Sequence, residues 1–200
     1  MAATLILVRH AAHTHLDRVL SGRSPGVPLS DAGRAQAARL GGRLAASRPM
    51  LVQTSPIERA EETAVAIADA ARVGLDRVDA LTEIDFGDWT GRGFTDLLAD
   101  PAWTTWNQER AGARPPGGES MGEAQRRIVA HLNDVARDHD GKTVVLVSHA
   151  DMIRAAVAHV LRLSLDEYWR FDIDPASMTT IHWDPRGRWA RLCRLNEGED

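Results

Sequence analysis

The sequence predicts an α/β fold: a three-layer α/β/α sandwich with a mostly parallel central sheet and helices on both faces. Two observations carry this. The apolar runs LILV, MLVQT and TVVLV are short, rich in β-branched residues and bounded by turn or helix signals, as strands buried on both faces are. Between them lie longer segments whose apolar residues recur at spacings of three and four, the mark of an amphipathic helix. Strands alternating with helices favour parallel pairing through right-handed crossovers.

Taken in order, the opening MAATLILVRH has no basic residue ahead of its short apolar run and passes directly into Arg9-His10, so it reads as a first strand and not as a signal peptide. Ser30-Asp31 starts a first helix, with Ala35, Ala38, Leu40 and Leu44 as its apolar positions. MLVQT is the second strand. Ser55 before Pro56 reads as the start of the next helix, whose apolar positions are Ala64, Ile67, Ala68 and Ala71. Residues 88–118 fit the pattern poorly, with Trp89, Trp103, Trp106 and the run RPPGG, and are expected to form a short helical and loop lid over the sheet. Ser120 with Glu123 opens a third helix, TVVLV follows as a strand, and a fourth helix runs from after His149 to about Leu163. In the tail, residues 178–183 and 189–195 flank the turn DPRG as a hairpin, and the final NEGED reads as a frayed end.

With 200 residues and 44% hydrophobic content, one domain spanning residues 1–200 is expected, burying roughly 70% of its unfolded surface. The net charge of -4 supplies no general field for nucleic acid or an anionic membrane, and no apolar run reaches the roughly 18 to 20 residues of a bilayer span. The lone Cys193 excludes an internal disulfide and fits a reducing, cytoplasmic compartment. There is no internal repeat at a fixed period.

The chemistry gathers at the strand ends. The first strand ends in Arg9-His10 and TVVLVSH ends in His149, so a cation and two imidazoles face the crevice where open sheets bind ligands. TSPIERAEET sets Arg59 in the first turn of the following helix, near the same rim. Arg9 and Arg59 then form two guanidinium forks suited to phosphate oxygens.

LVRH, VPLSDAGRAQA, TSPIERAEETA, LTEIDFGDWTG, PPGGESM and VLVSHADMIR follow, in order and spacing, the motifs of the histidine phosphatase (phosphoglycerate-mutase-like) superfamily. The chain resembles that family from about residue 4 to residue 183. The resemblance implies that His10 is the nucleophile, that Arg9, Arg59 and His149 bind the phosphoryl group, and that Glu83 donates the proton. Two departures stand out: Ala11 replaces the usual glycine after the histidine, and an asparagine common in the family falls near Leu16. Thr14, Ser21, Gly22 and Arg23 are the candidates to replace its phosphate contact.

The implied function is hydrolysis of a small phosphorylated metabolite through a phosphohistidine, with no cofactor and no metal. The competing readings are a cofactor-dependent phosphoglycerate mutase and a non-catalytic phospho-ligand sensor. The interval from Glu83 to His149 is 149 − 83 = 66 residues, shorter than the insert of the mutases that the chain resembles, and this favours hydrolysis. A sensor needs neither a nucleophile nor a proton donor. His10, His13 and His15 with Asp17 have a spacing that suggests metal ligands, but these residues are better read as phosphate-site and loop residues. His131, His139, His159 and His182 have no constellation around them. Trp103 and Trp106 are read equally as a substrate wall or as lid packing, while Arg110 and Arg114 read first as solvated arginines and second as contacts to another anionic group. The expected partner is a small phosphorylated metabolite, not nucleic acid or membrane, and assembly into a homodimer is left open.

Overall fold

The computed structural model describes residues 1–198. Six strands, β1 (Ala3–Arg9), β2 (Leu51–Thr54), β3 (Gly74–Arg77), β4 (Thr143–Ser148), β5 (Met178–Trp183) and β6 (Ala190–Glu197), form one sheet in the order β3-β2-β4-β1-β5-β6. Pairing is parallel from β3 through β1, while β5 runs antiparallel to β1 and β6 antiparallel to β5. The sheet is therefore mostly parallel, as the alternating pattern requires.

Successive side chains of a strand point to opposite faces, and here the central strands supply two cores. Leu5, Leu7, Val144 and Leu146 join one apolar cluster with α5 (Met121–Asp138) and α6 (Ala150–Leu161); Ile6, Val8, Val145 and Val147 join the other with α1 (Asp31–Ala45) and α2 (Glu58–Ala71). Both faces are covered, which explains the near-continuous apolar runs. Ser30 caps α1 by accepting from Gly33 N–H, and Ser120 with Glu123 forms a capping box on α5. A left-handed Arg162 ends α6.

Four details differ from the sequence reading. In α1 the buried stripe is Gly33, Ala37, Leu40, Gly41 and Leu44, while Ala35 and Ala38 are exposed, because alanine recurs around the whole helix and does not mark a face. Helix α2 starts at Glu58 after an Ile57 cap, so Ser55 and Pro56 precede it. The edge strand β3 was not expected. Its Gly74–Arg77 segment, exposed apart from the half-buried Leu75, carries no apolar run and is defined by pairing with β2. Of the terminal NEGED, Asn196 and Glu197 belong to β6, where Asn196 bonds to Asp174 and Glu197 pairs with Arg43; Glu199 and Asp200 lie outside the described residues.

The segment from Gly87 to residue 118 contains a 3-10 turn at Gly87–Trp89 and two short helices, α3 (Phe94–Leu98) and α4 (Pro101–Gln108). Gly87 has φ 51°, and a Cβ there would stand 2.1 Å from Pro116 O, so this turn requires glycine. Trp106 is fully buried with Phe86 and Trp89 edge-on to it, and Trp103 stands edge-on to Trp89. The tryptophan pair thus packs this segment against the core. Backbone bonds between Leu20 and residues 91 and 92 join this segment to the loop after β1.

Candidate active site

Arg9 and Ser148 are register partners at the carboxyl ends of β1 and β4, which brings the residues after each strand side by side. The His10 and His149 rings meet edge-on with centroids 5.1 Å apart. Arg59, in the first turn of α2, reaches between them. Its Nε donates to His10 Nε2 at 3.2 Å, and its Nη2 donates to Gly22 O at 2.7 Å and lies 3.4 Å from His149 Nδ1. Arg9 donates from Nη1 to Ile173 O at 2.7 Å.

The hydrogen bonds fix the His10 tautomer and orient the His149 ring. His10 Nδ1 lies 2.8 Å from Ala11 O, a carbonyl that can only accept, so the proton sits on Nδ1 and the lone pair on Nε2. His149 Nε2 lies 2.8 Å from Ser55 Oγ, leaving Nδ1 toward Arg59 and Glu83. Ser55, read from sequence as a helix start, instead orients the second histidine.

Burial first, then the charges of Arg59 and Arg9, hold His10 well below its ordinary pKa; burial and Arg59 do the same to His149. Both imidazoles are neutral at pH 7. Glu83 Oε2 lies 4.0 Å from His149 Nδ1, and its Oε1 accepts from Ile84 N–H. Burial, then the Asp151 charge, pushes this carboxyl up to about 7. Its segment is braced from outside: Arg127 donates to Ala80 O and Thr82 O and pairs with Glu119, while Arg23 donates to Glu83 O at 2.8 Å.

A cavity of about 140 Å³ opens over these groups. Arg9, His10, Ser21, Gly22, Arg59 and Glu83 line it, with His149 buried beneath. Arg59 Nη1 and Ser21 Oγ are buried without a hydrogen-bond partner, donors suited to anionic oxygens. Of the candidates for the missing asparagine contact, Ser21 and Gly22 belong to this wall and Leu16 stands beside them. Thr14 is exposed and outside the wall, and Arg23 is turned to Glu83 O, Asp85 and Glu119. Arg110 is not solvated: it is 4% exposed, bonded to Asp151, Asn107 and Tyr168. Arg114 pairs with Glu123.

Sequence reasoning did not single out Asp151, which lines the cavity two residues after His149, and it placed His13 only near the mouth. The His13 ring is buried, 5.3 Å from that of His10, and its pKa falls to about 4 through burial and the charges of Arg59 and Arg9. Among the described residues, no three His, Cys, Asp or Glu side chains are grouped to hold a metal ion.

A buried and a half-buried guanidinium flanking neutral imidazoles at the ends of parallel strands make up the kind of site that α/β enzymes use to bind and transfer phosphoryl groups. The chain belongs to the histidine phosphatase superfamily (branch 1), whose family model matches residues 5–196. It is 33% identical to phosphoserine phosphatase 1 of Hydrogenobacter thermophilus over 187 residues, covering 91% of this chain and 87% of that protein. It is also 27% identical to the adenosylcobalamin/alpha-ribazole phosphatase of Escherichia coli, covering 96% of this chain and 95% of that one. YhfR of Bacillus stearothermophilus superposes with a TM-score of 0.91 at 28% identity, covering 98% of each chain. With this membership and these phosphatase relatives along its length, the chain is a phosphoric monoester hydrolase.

Proposed function

We propose that the chain transfers the phosphoryl group of a small metabolite to Nε2 of His10 and then to water. The observation that carries this reading is the His10 tautomer: Ala11 O holds the proton on Nδ1 and leaves the Nε2 lone pair beside the Arg59 guanidinium. Arg9, Arg59 and His149 surround the equatorial oxygens, with Ser21 Oγ as a further donor. Their fixed positive charge and dipoles do the neutralisation that a metal does elsewhere.

As Nε2 bonds to phosphorus, the ester P–O bond breaks and Glu83, protonated because of its raised pKa, gives its proton to the leaving oxygen. The resulting carboxylate then takes a proton from water, which attacks phospho-His10 and releases phosphate and free imidazole. The net charge of -4 and the single exposed thiol of Cys193 accord with a metabolite substrate and a cytoplasmic setting. The test is hydrolysis of p-nitrophenyl phosphate in excess chelator. Turnover that survives EDTA and is inhibited by vanadate is expected, while activity lost in EDTA and restored by a divalent ion would contradict the metal-free reading.

A further inference from the structure

Glu83 stands in a stretch with no regular backbone to hold it. Between the 3-10 turns at Asp79–Leu81 and Gly87–Trp89, residues 83–86 belong to no helix or strand. Buried Ile84 and Phe86 anchor the stretch to the core, but packing alone leaves its backbone polar groups without partners. A group that transfers a proton needs a fixed position, since a displacement of about 1 Å can cost on the order of 10² in rate.

The partners on either side of Glu83 come from distant residues. Arg127, on α5, donates from Nη1 to Ala80 O at 2.8 Å and to Thr82 O at 2.9 Å, just before Glu83. Arg23, in the loop after β1, donates from Nε to Glu83 O at 2.8 Å. Just after Glu83, Asp85 N–H donates to the Glu119 carboxylate at 3.3 Å, and Glu119 N–H donates back to Asp85 O at 2.8 Å. Both guanidinium groups end on that same carboxylate. Arg127 grips it side-on, Nε to Oε1 at 3.1 Å and Nη2 to Oε2 at 2.7 Å, and Arg23 Nη2 reaches Oε2 at 3.2 Å. Arg23 also lies 3.4 Å from Asp85 Oδ2, a longer and more exposed contact. The Glu119 side chain is 16% exposed, and the N–H donors of Arg127, Arg23 and Asp85 occupy both of its oxygens.

We infer that Glu119 is a positioning residue for the reaction: it holds Arg23 and Arg127 in place, and through them and the Asp85 N–H it sets where Glu83 stands. The inference rests on the assignment of Glu83 as proton donor in the reading above and adds the residue that keeps it there. Charge matters as well as shape. A glutamine at this position offers one oxygen where two are gripped and turns an amide N–H₂ toward other donors, so the two guanidinium groups lose their common partner and the geometry that presents them to the backbone carbonyls.

The experiment compares wild type, Glu119→Gln, Glu83→Gln and the double variant on two substrates: kcat and KM on glycerol phosphate, and the single-turnover rate of nitrophenolate release from p-nitrophenyl phosphate. Glu119→Gln should lower kcat on glycerol phosphate by about tenfold or more, with KM and nitrophenolate release each changed by less than about threefold. Added to Glu83→Gln it should cost less than about twofold more, because the group it positions is already gone. Equal losses on both substrates, or losses that multiply in the double variant, overturn the role of Glu119 and leave the phosphatase reading intact. A Glu83→Gln variant that itself loses nothing on glycerol phosphate overturns the donor assignment and this inference with it. Arg23→Gln alters an exposed side chain and keeps the test open if Glu119→Gln does not fold. It should show the same selective loss on glycerol phosphate, about threefold or more, and equal losses on both substrates overturn the inference.

Discussion

The Nε of Arg59 donates to Nε2 of His10 across 3.2 Å, so in the proposed mechanism one guanidinium would both hold the His10 lone pair and reach the phosphoryl oxygens. Lysine offers one point charge and cannot at once reach His10, Gly22 O and a phosphoryl oxygen. Arg59→Lys should therefore lower kcat/KM on p-nitrophenyl phosphate by about 10² to 10³. A loss under threefold, measured on protein with an unchanged circular dichroism spectrum, would show that Arg59 does not contact the transferred group.

Glu83 is assigned a proton transfer, and that assignment has a kinetic signature. Glu83→Gln should lower kcat by about 10² to 10⁴ for an alkyl phosphate, whose leaving oxygen needs a proton. For p-nitrophenyl phosphate the first step hardly needs the acid, so a burst of nitrophenolate followed by slow dephosphorylation is expected. Asp85, whose Oδ1 accepts from Gly87 N–H, is the control carboxylate. Equal losses on both substrates with no burst, together with leaving-group dependence in Asp85→Asn, would assign the acid to the wrong residue.

Two displaced pKa values set the pH dependence. Glu83 must be protonated to act, so kcat/KM should fall with rising pH on a limb centred near 7. His10 is held well below 6.5, so the rising limb should lie beneath the ordinary histidine range. Asp151→Asn removes a negative charge that favours protonated Glu83, and the falling limb should move to lower pH. The same group leaves a mark on stability. Between its ordinary 4.5 and about 7, folded Glu83 binds more proton than the unfolded chain, so stability falls as pH rises through that window. Against Glu83→Gln, the wild type should lose about 2 to 3 kcal/mol from pH 4.5 to pH 7 in denaturant titrations. Parallel stability curves for the two proteins would show that the carboxyl is not raised.

Much of the fold and of the placement of the candidate site was legible in the sequence because the strands and the motifs at their ends are contiguous. LILVRH and VLVSH each carry a buried strand and the residue at its end, and the alternation of Leu5, Ile6, Leu7 and Val8 between two cores is a local property. What was not legible depends on partners far along the chain. Strand β3 exists through its pairing with β2, not through its own mostly exposed side chains. Ser55 looked like a helix start, yet its hydroxyl bonds a histidine 94 positions away. Arg23 and Arg110, which a sequence presents as free cations, are turned to the Glu83 carbonyl and to Asp151. Trp106 left the choice between substrate wall and lid packing open until its rings and burial decided for packing.

The most direct measurement of the central claim is the state of His10 during turnover. Wild-type protein mixed with an excess of phosphorylated substrate and stopped in alkali within the first turnovers should carry a phosphoryl group on the peptide containing His10. The label should be stable in alkali, lost in acid and absent from His10→Ala, which should have no measurable turnover. A label that survives acid, a label on another residue, or full activity in His10→Ala would contradict the phosphohistidine mechanism.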